Sequence, residues 1–264
     1  MRPSTPQTAS KAGSGLAIAT LAAILATLIV NALSNLYPPQ GQNIGEISNT
    51  ILSGVLITPA SYAFAIWGVI YIGLIAYGLY QLRPAQRRAA DIQRVNVRLI
   101  VACVAQIIWV YLFTLQLFSL SVLAMLAILF ALIGAYLQIN PLQEAVSRQR
   151  KWFAQVPLSI YLGWISVATI VNVASALYSL GWQGWGLSAV GWTVLMLIVG
   201  GLLAALVALQ RRDVAFTLVY VWAFGAIAMR HLTTPSLCLT AGGLAIALVL
   251  ILLIGEQLRR RATA

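Results

Sequence analysis

The chain has 264 residues, of which 61% are hydrophobic and only 8% charged, against about 25% charged in soluble domains. Together with a mean hydropathy of +0.91, this excludes a water-soluble globular protein. It predicts an all-α polytopic membrane protein, because the apolar runs are long and continuous where barrel strands would alternate over about 10 residues. The formal net charge of +11 does not point to nucleic acid. Its Lys and Arg residues sit in short clusters between apolar runs, as topology signals and anionic-headgroup contacts do.

Residues 1–14, rich in Ser, Thr and Pro with Arg2 and Lys11, read as a disordered tail. The apolar run from Gly15 to about Leu36 is too long for the core of a cleavable signal peptide and reads as the first membrane helix. Asn31 and Asn35, one turn apart near its end, are expected to face inward. Residues 37–59 form the longest connection, opened by Pro38 and Pro39 and carrying Glu46 as its only charge. Mixed polar and apolar content over that length predicts a loop folded onto the bundle. A second helix, about 60–82, places Phe64, Trp67 and Tyr71 at i, i+3 and i+7. The connector 83–98 sets Arg83, Arg87, Arg88, Arg94 and Arg98 against Asp91. A third helix, about 97–117, repeats the aromatic spacing with Gln106, Trp109 and Phe113. After a break near Ser119–Ser121 a fourth runs to about Ile139, and a connector with Arg148, Arg150 and Lys151 follows.

The fifth helix, from Pro157 to about Leu180, holds no charged residue but keeps Tyr161, Trp164, Ala168 and Asn172 on one stripe, at i, i+3, i+7 and i+11. An amide in hydrocarbon costs free energy unless it is paired, so this stripe should face protein or a ligand. The residues alone leave both readings open. The uncharged connector GWQGWG, 181–186, suits a membrane interface. A sixth helix covers about 187–209 and turns at Arg211, Arg212 and Asp213. The seventh covers about 214–229 and ends at Arg230 and His231. The eighth covers about 235–255, and a basic tail with Arg259, Arg260 and Arg261 follows. About eight transmembrane helices put both termini on one side. With the N-terminus cytoplasmic, fifteen of the sixteen Lys and Arg residues fall inside and only Arg230 outside, a bias that suits a bacterial-type inner membrane or a thylakoid-like one. Cys103 and Cys238 lie in apolar segments without CxxC spacing and read as buried small hydrophobes.

Tyr161, Leu162, Trp164, Ala168 and Asn172 match in spacing the fifth-helix pattern Y-L-x-W-x-x-F-A-x-x-L-N, and the chain here resembles the translocator-protein family (TspO/MBR, the tryptophan-rich sensory proteins). Val167 stands where phenylalanine is usual. Pro59, Phe64, Trp67 and Tyr71 are similar to the family's second-helix pattern, with a gap from Phe64 to Trp67 one residue short. Gln106, Trp109 and Phe113 are similar to its third-helix N-x-x-W-x-x-L-F, with Gln for Asn. The resemblance covers about 15–180 and divides the chain into the tail 1–14, a five-helix TspO-like bundle over 15–180, three additional helices over 187–256 and a basic tail over 257–264. The family's cholesterol-recognition pattern needs a basic residue soon after a Tyr, whereas Tyr178 is followed by no charge before Arg211.

The resemblance implies a receptor or sensor, not an enzyme, that binds a porphyrin, haem-type tetrapyrrole or other flat hydrophobic ligand under the first loop, and it suggests a homodimer in the lipid bilayer. The expected ligand-binding residues are Phe64, Trp67, Tyr71, Gln106, Trp109, Tyr161, Trp164, Ala168 and Asn172. Indole faces would stack on a conjugated ring while their N–H groups, Gln106 and Asn172 supply a few directional bonds. Arg230 and His231 leave two readings, a tetrapyrrole contact or pairing with Glu46 on one side, and snorkelling and solvation on the other. The alternative function is a carrier of an amphipathic solute, for which the three additional helices complete a pathway. No Asp or Glu lies in the expected spans before Glu256, so neither acid–base chemistry nor proton coupling has a carrier group there.

Overall fold

The computed structural model describes residues 13–140 and 146–263. All but Gly13 and Ser14 of the expected N-terminal tail, and residues 141–145 of the second basic connector, lie outside that range. Among the described residues there is no strand. The long helices are α1 (Ser14–Leu36), α2 (Ile66–Gln81), α3 (Ala90–Thr114), α4 (Phe118–Ile139), α5 (Val156–Ser179), α6 (Ala189–Arg211), α7 (Val214–Arg230) and α8 (Pro235–Thr263). Among the described residues seven helical segments are long and apolar enough to cross a membrane. The protein is an all-α, multi-pass integral membrane protein. The remaining long helix, α7, has 17 residues, about 25 Å of rise against a hydrocarbon core of about 30 Å. Its ends are closed by protein. Asp213 accepts the Phe216 amide at the start, and Arg230 and His231 hold loop groups at the finish.

Several boundaries differ from those read in the sequence, each for a local reason. The first five residues of the expected second helix, Ser61–Ala65, form a 3-10 turn. α3 begins seven residues earlier than expected because Asp91 sits favourably in its first turn, and the basic connector shrinks to the single turn Pro84–Arg88. The break between α3 and α4 falls at 115–117, where Gln116 takes φ 60°, and not at the serines. α5 continues unbroken from Arg148 through a π-type stretch, Lys151–Gln155. No glycine or proline stops α8, so it runs on through the expected tail, with an Arg260–Glu256 ion pair at 3.2 Å. Asn31 is buried as expected, but Asn35 is exposed and donates to the Asn31 carbonyl.

The first five helices close a ring in which α1 packs on α2, α2 on α5, α5 on α4, α4 on α3 and α3 on α1. α6, α7 and α8 pack on one another and reach the ring chiefly through α7, which lies along α5. At that seam Gly163 brings the backbones together, since a Cβ there would sit 3.1 Å from Val219 Cβ and 3.2 Å from the Phe216 carbonyl oxygen. Small residues allow such approaches where no hydrophobic force separates helix from lipid. Hydroxyls on the same face add bonds: Ser159 donates to Asp213 at 2.6 Å and Tyr220 to Ser166 at 2.8 Å.

The two ends of the bundle differ in charge. The connectors between α2 and α3, α4 and α5, and α6 and α7 meet at one end. There Arg150 pairs with Asp91, Arg83 donates to Gln149 and Arg211 to the Asn140 carbonyl. Arg230 lies at the opposite end. Residues 37–59 fold over that end of the ring. Their short helix Ile44–Asn49 is closed by a capping box between Asn43 and Glu46, and Ile47, Leu52, Val55 and Ile57 are buried beneath the loop.

Candidate functional site

Below this loop the three expected stripes converge. α2 contributes Trp67, α3 Trp109 and α5 Trp164, and the 3-10 turn adds Phe64. Together with Phe113, Ala168 and Asn172 these side chains line one cavity, roofed by Ile44, Ser48 and Pro59. The rings touch mostly edge to face: Phe64 to Trp164 at 6.0 Å, Trp67 to Trp164 at 6.5 Å and Trp67 to Tyr161 at 6.2 Å between centroids. Trp109 lies 5.1 Å from Phe113. Such pairs are favourable beyond the area they bury. The cavity they leave is about 50 Å³, whereas sites for drug-sized ligands run to roughly 300–1,000 Å³. In this conformation the space between the indoles is mostly filled by the rings themselves.

Two of the expected hydrogen-bonding groups serve each other. Trp109 Nε1 donates to Asn172 Oδ1 at 2.8 Å, Asn172 Nδ2 to Ser121 Oγ at 2.8 Å, and Ser121 to the Phe118 carbonyl at 2.7 Å. The relay ties α3, α5 and α4 together and leaves neither Trp109 nor Asn172 with a free polar edge. Ser121 gave no sign of this role in the sequence, where it lay in an expected break.

One turn further from the loop lie Tyr71, Gln106 and Tyr161. The Gln106 side chain is wholly buried. Neither its Oε1 nor its Nε2, nor the Tyr71 hydroxyl, has a hydrogen-bond partner among the described residues. The contrast with the basic end of the same ring is sharp. There Tyr77 donates to Asn96 at 2.6 Å, Asn96 to Gln81 at 3.0 Å and Gln81 to the Ala17 carbonyl at 2.8 Å. A fold that satisfies one buried amide network so fully leaves the Gln106 amide orphaned, at a cost of about 1–3 kcal/mol for an unpaired group.

The outer residues hold the loop. Arg230 Nη1 donates to Asn49 Oδ1 at 3.0 Å and to the Pro59 carbonyl at 3.4 Å, and His231 Nε2 lies 2.7 Å from the Leu56 carbonyl oxygen. Glu46, considered as a partner for Arg230, instead accepts from the Asn43 backbone amide. Trp222 of α7 donates to the Ala63 carbonyl, and the Ala60 amide to Ala226. Cys103 is buried and Cys238 half-buried, and both are free. Among the described residues no three His, Cys, Asp or Glu side chains come together as a metal site would require.

No curated protein and no solved structure matches the chain. The sequence model of the TSPO-like protein family matches residues 17–254, which takes in α6, α7 and nearly all the membrane-spanning part of α8 along with the five-helix ring. With an aromatic ring interior under a long first loop, and a match over nearly the whole chain, this protein belongs to the TSPO-like protein family.

Proposed function

We propose that the protein is a membrane receptor or sensor that admits a flat hydrophobic ligand, a tetrapyrrole such as a porphyrin or a similar ring system, into the aromatic chamber. The observation that carries this reading is the floor of the chamber. A buried amide and a buried hydroxyl, Gln106 and Tyr71, lie without hydrogen-bond partners among the described residues, one turn below the five aromatic rings that line the cavity. Aromatic walls with a few convergent polar groups are the usual build of a small-molecule site, and a ligand carrying one donor and one acceptor would pair with both groups. At about 50 Å³ the described conformation is the closed one. Entry requires the loop 37–59 to lift and the Trp67 and Trp164 rings to part. Lids that exclude the surroundings in this way belong to the low-stability parts of a fold.

In this reading the basic end faces the cytoplasm, which places both termini there, in a bacterial cell membrane. The test is a titration of the detergent-solubilised protein with protoporphyrin, followed by tryptophan fluorescence. Saturable quenching that is lost in the double variant Trp67→Phe, Trp164→Phe is the expected result. Absence of saturable quenching in the unaltered protein would overturn the proposal. Uptake of labelled ligand into proteoliposomes beyond the binding stoichiometry would turn the receptor into a carrier.

A further inference from the structure

A second hollow, larger than the chamber, lies among the described residues. It is a trough of about 1,200 Å³ on the seam between the ring and the three-helix group. α7 meets the ring at the turn Ser61–Ala65, through Trp222 and Ala226. Below that point α2 and α7 diverge, and the trough opens between them over the surface of α5. Its sides are apolar: Val69 from α2, Ile160 from α5, Leu218 and Trp222 from α7. Val69, Leu218 and Trp222 are 40–52% exposed, so the trough faces sideways into the band that the helices span.

At the basic end of the bundle the lining changes to Lys151, Gln155, Arg211 and Arg212. Among the described residues none of these three cations makes an ion pair. Among the described residues the one carboxylate in the lining, Asp213, is already engaged by the Ser159 hydroxyl and the Phe216 amide. An apolar trough that ends in cations is complementary to an amphiphile with an anionic head. A soluble anion would leave the apolar length unfilled, and a zwitterionic lipid would leave the charge unmatched.

We propose that the trough seats one anionic phospholipid, with a chain along Val69, Ile160, Leu218 and Trp222 and its phosphate at Lys151, Arg211 and Arg212. The lipid then bridges the ring and the three-helix group. This proposal does not depend on the chamber's ligand.

The test uses the full chain in mild detergent with phosphatidylglycerol and phosphatidylcholine in equal amounts, read by native mass spectrometry and by thermal unfolding. One retained phosphatidylglycerol per chain is expected, with a melting temperature raised by that lipid and not by phosphatidylcholine. The variant Lys151→Gln, Arg212→Gln changes two exposed side chains for which no hydrogen bond is seen among the described residues. It should weaken retention on the order of tenfold. A second variant, Ile160→Trp, leaves the cations intact and fills the trough, and it should abolish retention. Equal retention of the two lipids would overturn the proposal, as would unchanged retention in both variants. Stabilisation by inorganic phosphate equal to that by phosphatidylglycerol would also overturn it, by showing a small-anion site in place of a lipid seat.

Discussion

α5 borders two hollows of opposite design. On its inner stripe Tyr161, Trp164, Ala168 and Asn172 face the ring interior, where rings from α2 and α3 fill the space to about 50 Å³. Its other face carries Ser159, Gly163 and Ser166, which draw α7 to within van der Waals contact, yet beside that contact the trough stays open at about 1,200 Å³. The difference follows from side-chain size and partner geometry. Five helices closed in a ring can each turn large rings toward one axis, and the axis fills. A sixth element leaning on that ring touches along one line, and the space on either side of the line belongs to lipid. The interior is therefore a place where a guest must displace protein. The seam is one where a guest need only displace bulk lipid.

Gly163→Leu attacks the line of contact and should produce the largest effect. The added side chain has no room between α5 and the Phe216–Val219 turn of α7, so the three-helix group must shift. The expected loss is at least about 3 kcal/mol, the upper range of overpacking, seen as a large fall in melting temperature. Gly225 on α7 has open space around its Cα, and Gly225→Ala should be neutral or slightly stabilising. If both substitutions behave alike, the seam is not close-packed and the contrast between the two hollows fails. Asn172→Leu attacks the interior instead. It strands the Trp109 N–H in the interior, while the Ser121 hydroxyl loses a donor but keeps its own bond to the Phe118 carbonyl, and about 1–3 kcal/mol of stability should be lost. Retention of phosphatidylglycerol should stay unchanged. A variant that loses lipid as readily as stability would show that interior and seam are one cooperative unit.

Much of this is legible in the sequence, and the parts that are not share a cause. Period-3.6 spacing puts the aromatic residues of each helix on one face, because a helix fixes the direction of its own side chains, and the family resemblance supplies the expectation that Trp67, Trp109 and Trp164 meet. Ser159, Gly163 and Ser166 stand in the same stretch of sequence, but small residues advertise no partner, and only the helix arrangement assigns α7 to that face. The Asn172 relay was half visible: an intramembrane amide demands a partner, and two were found in Trp109 and Ser121, the second from a residue with no distinguishing mark. Packing volume was not legible at all. Whether five converging rings enclose a guest or fill the space themselves depends on rotamers and on a few ångströms of helix separation, which periodicity does not encode.

Gln106→Leu gives a sharper test of the interior than of its stability. Replacing an unpaired buried amide by an apolar side chain of similar size removes a penalty, so the ligand-free protein should become more stable, by about 1 kcal/mol. The same change should weaken protoporphyrin binding, measured by the shift in melting temperature at fixed ligand. Stability and affinity moving in opposite directions identify the amide as a ligand group. If stability instead falls, the amide has a partner in water or protein, and the floor of the chamber has no vacancy for a guest.

The smallest expected effect belongs to Arg230→Gln, and it bears most directly on how the interior is reached. Arg230 ties the end of α7 to Asn49 and Pro59, an exposed contact whose loss should lower global stability by less than about 1 kcal/mol. Its consequence should be local. Amide exchange over 44–59 should speed up about fivefold for each kcal/mol by which loop opening becomes easier, while α3 and α4 keep their protection. A lid that opens more often admits ligand faster without holding it more weakly once seated. The rate of protoporphyrin association should therefore rise while its dissociation rate changes little. Faster exchange across the whole ring would mean that Arg230 braces the bundle as such. Faster exchange of the loop with an unaltered association rate would mean that ligand enters sideways between helices, and the interior would then share with the seam an opening toward lipid.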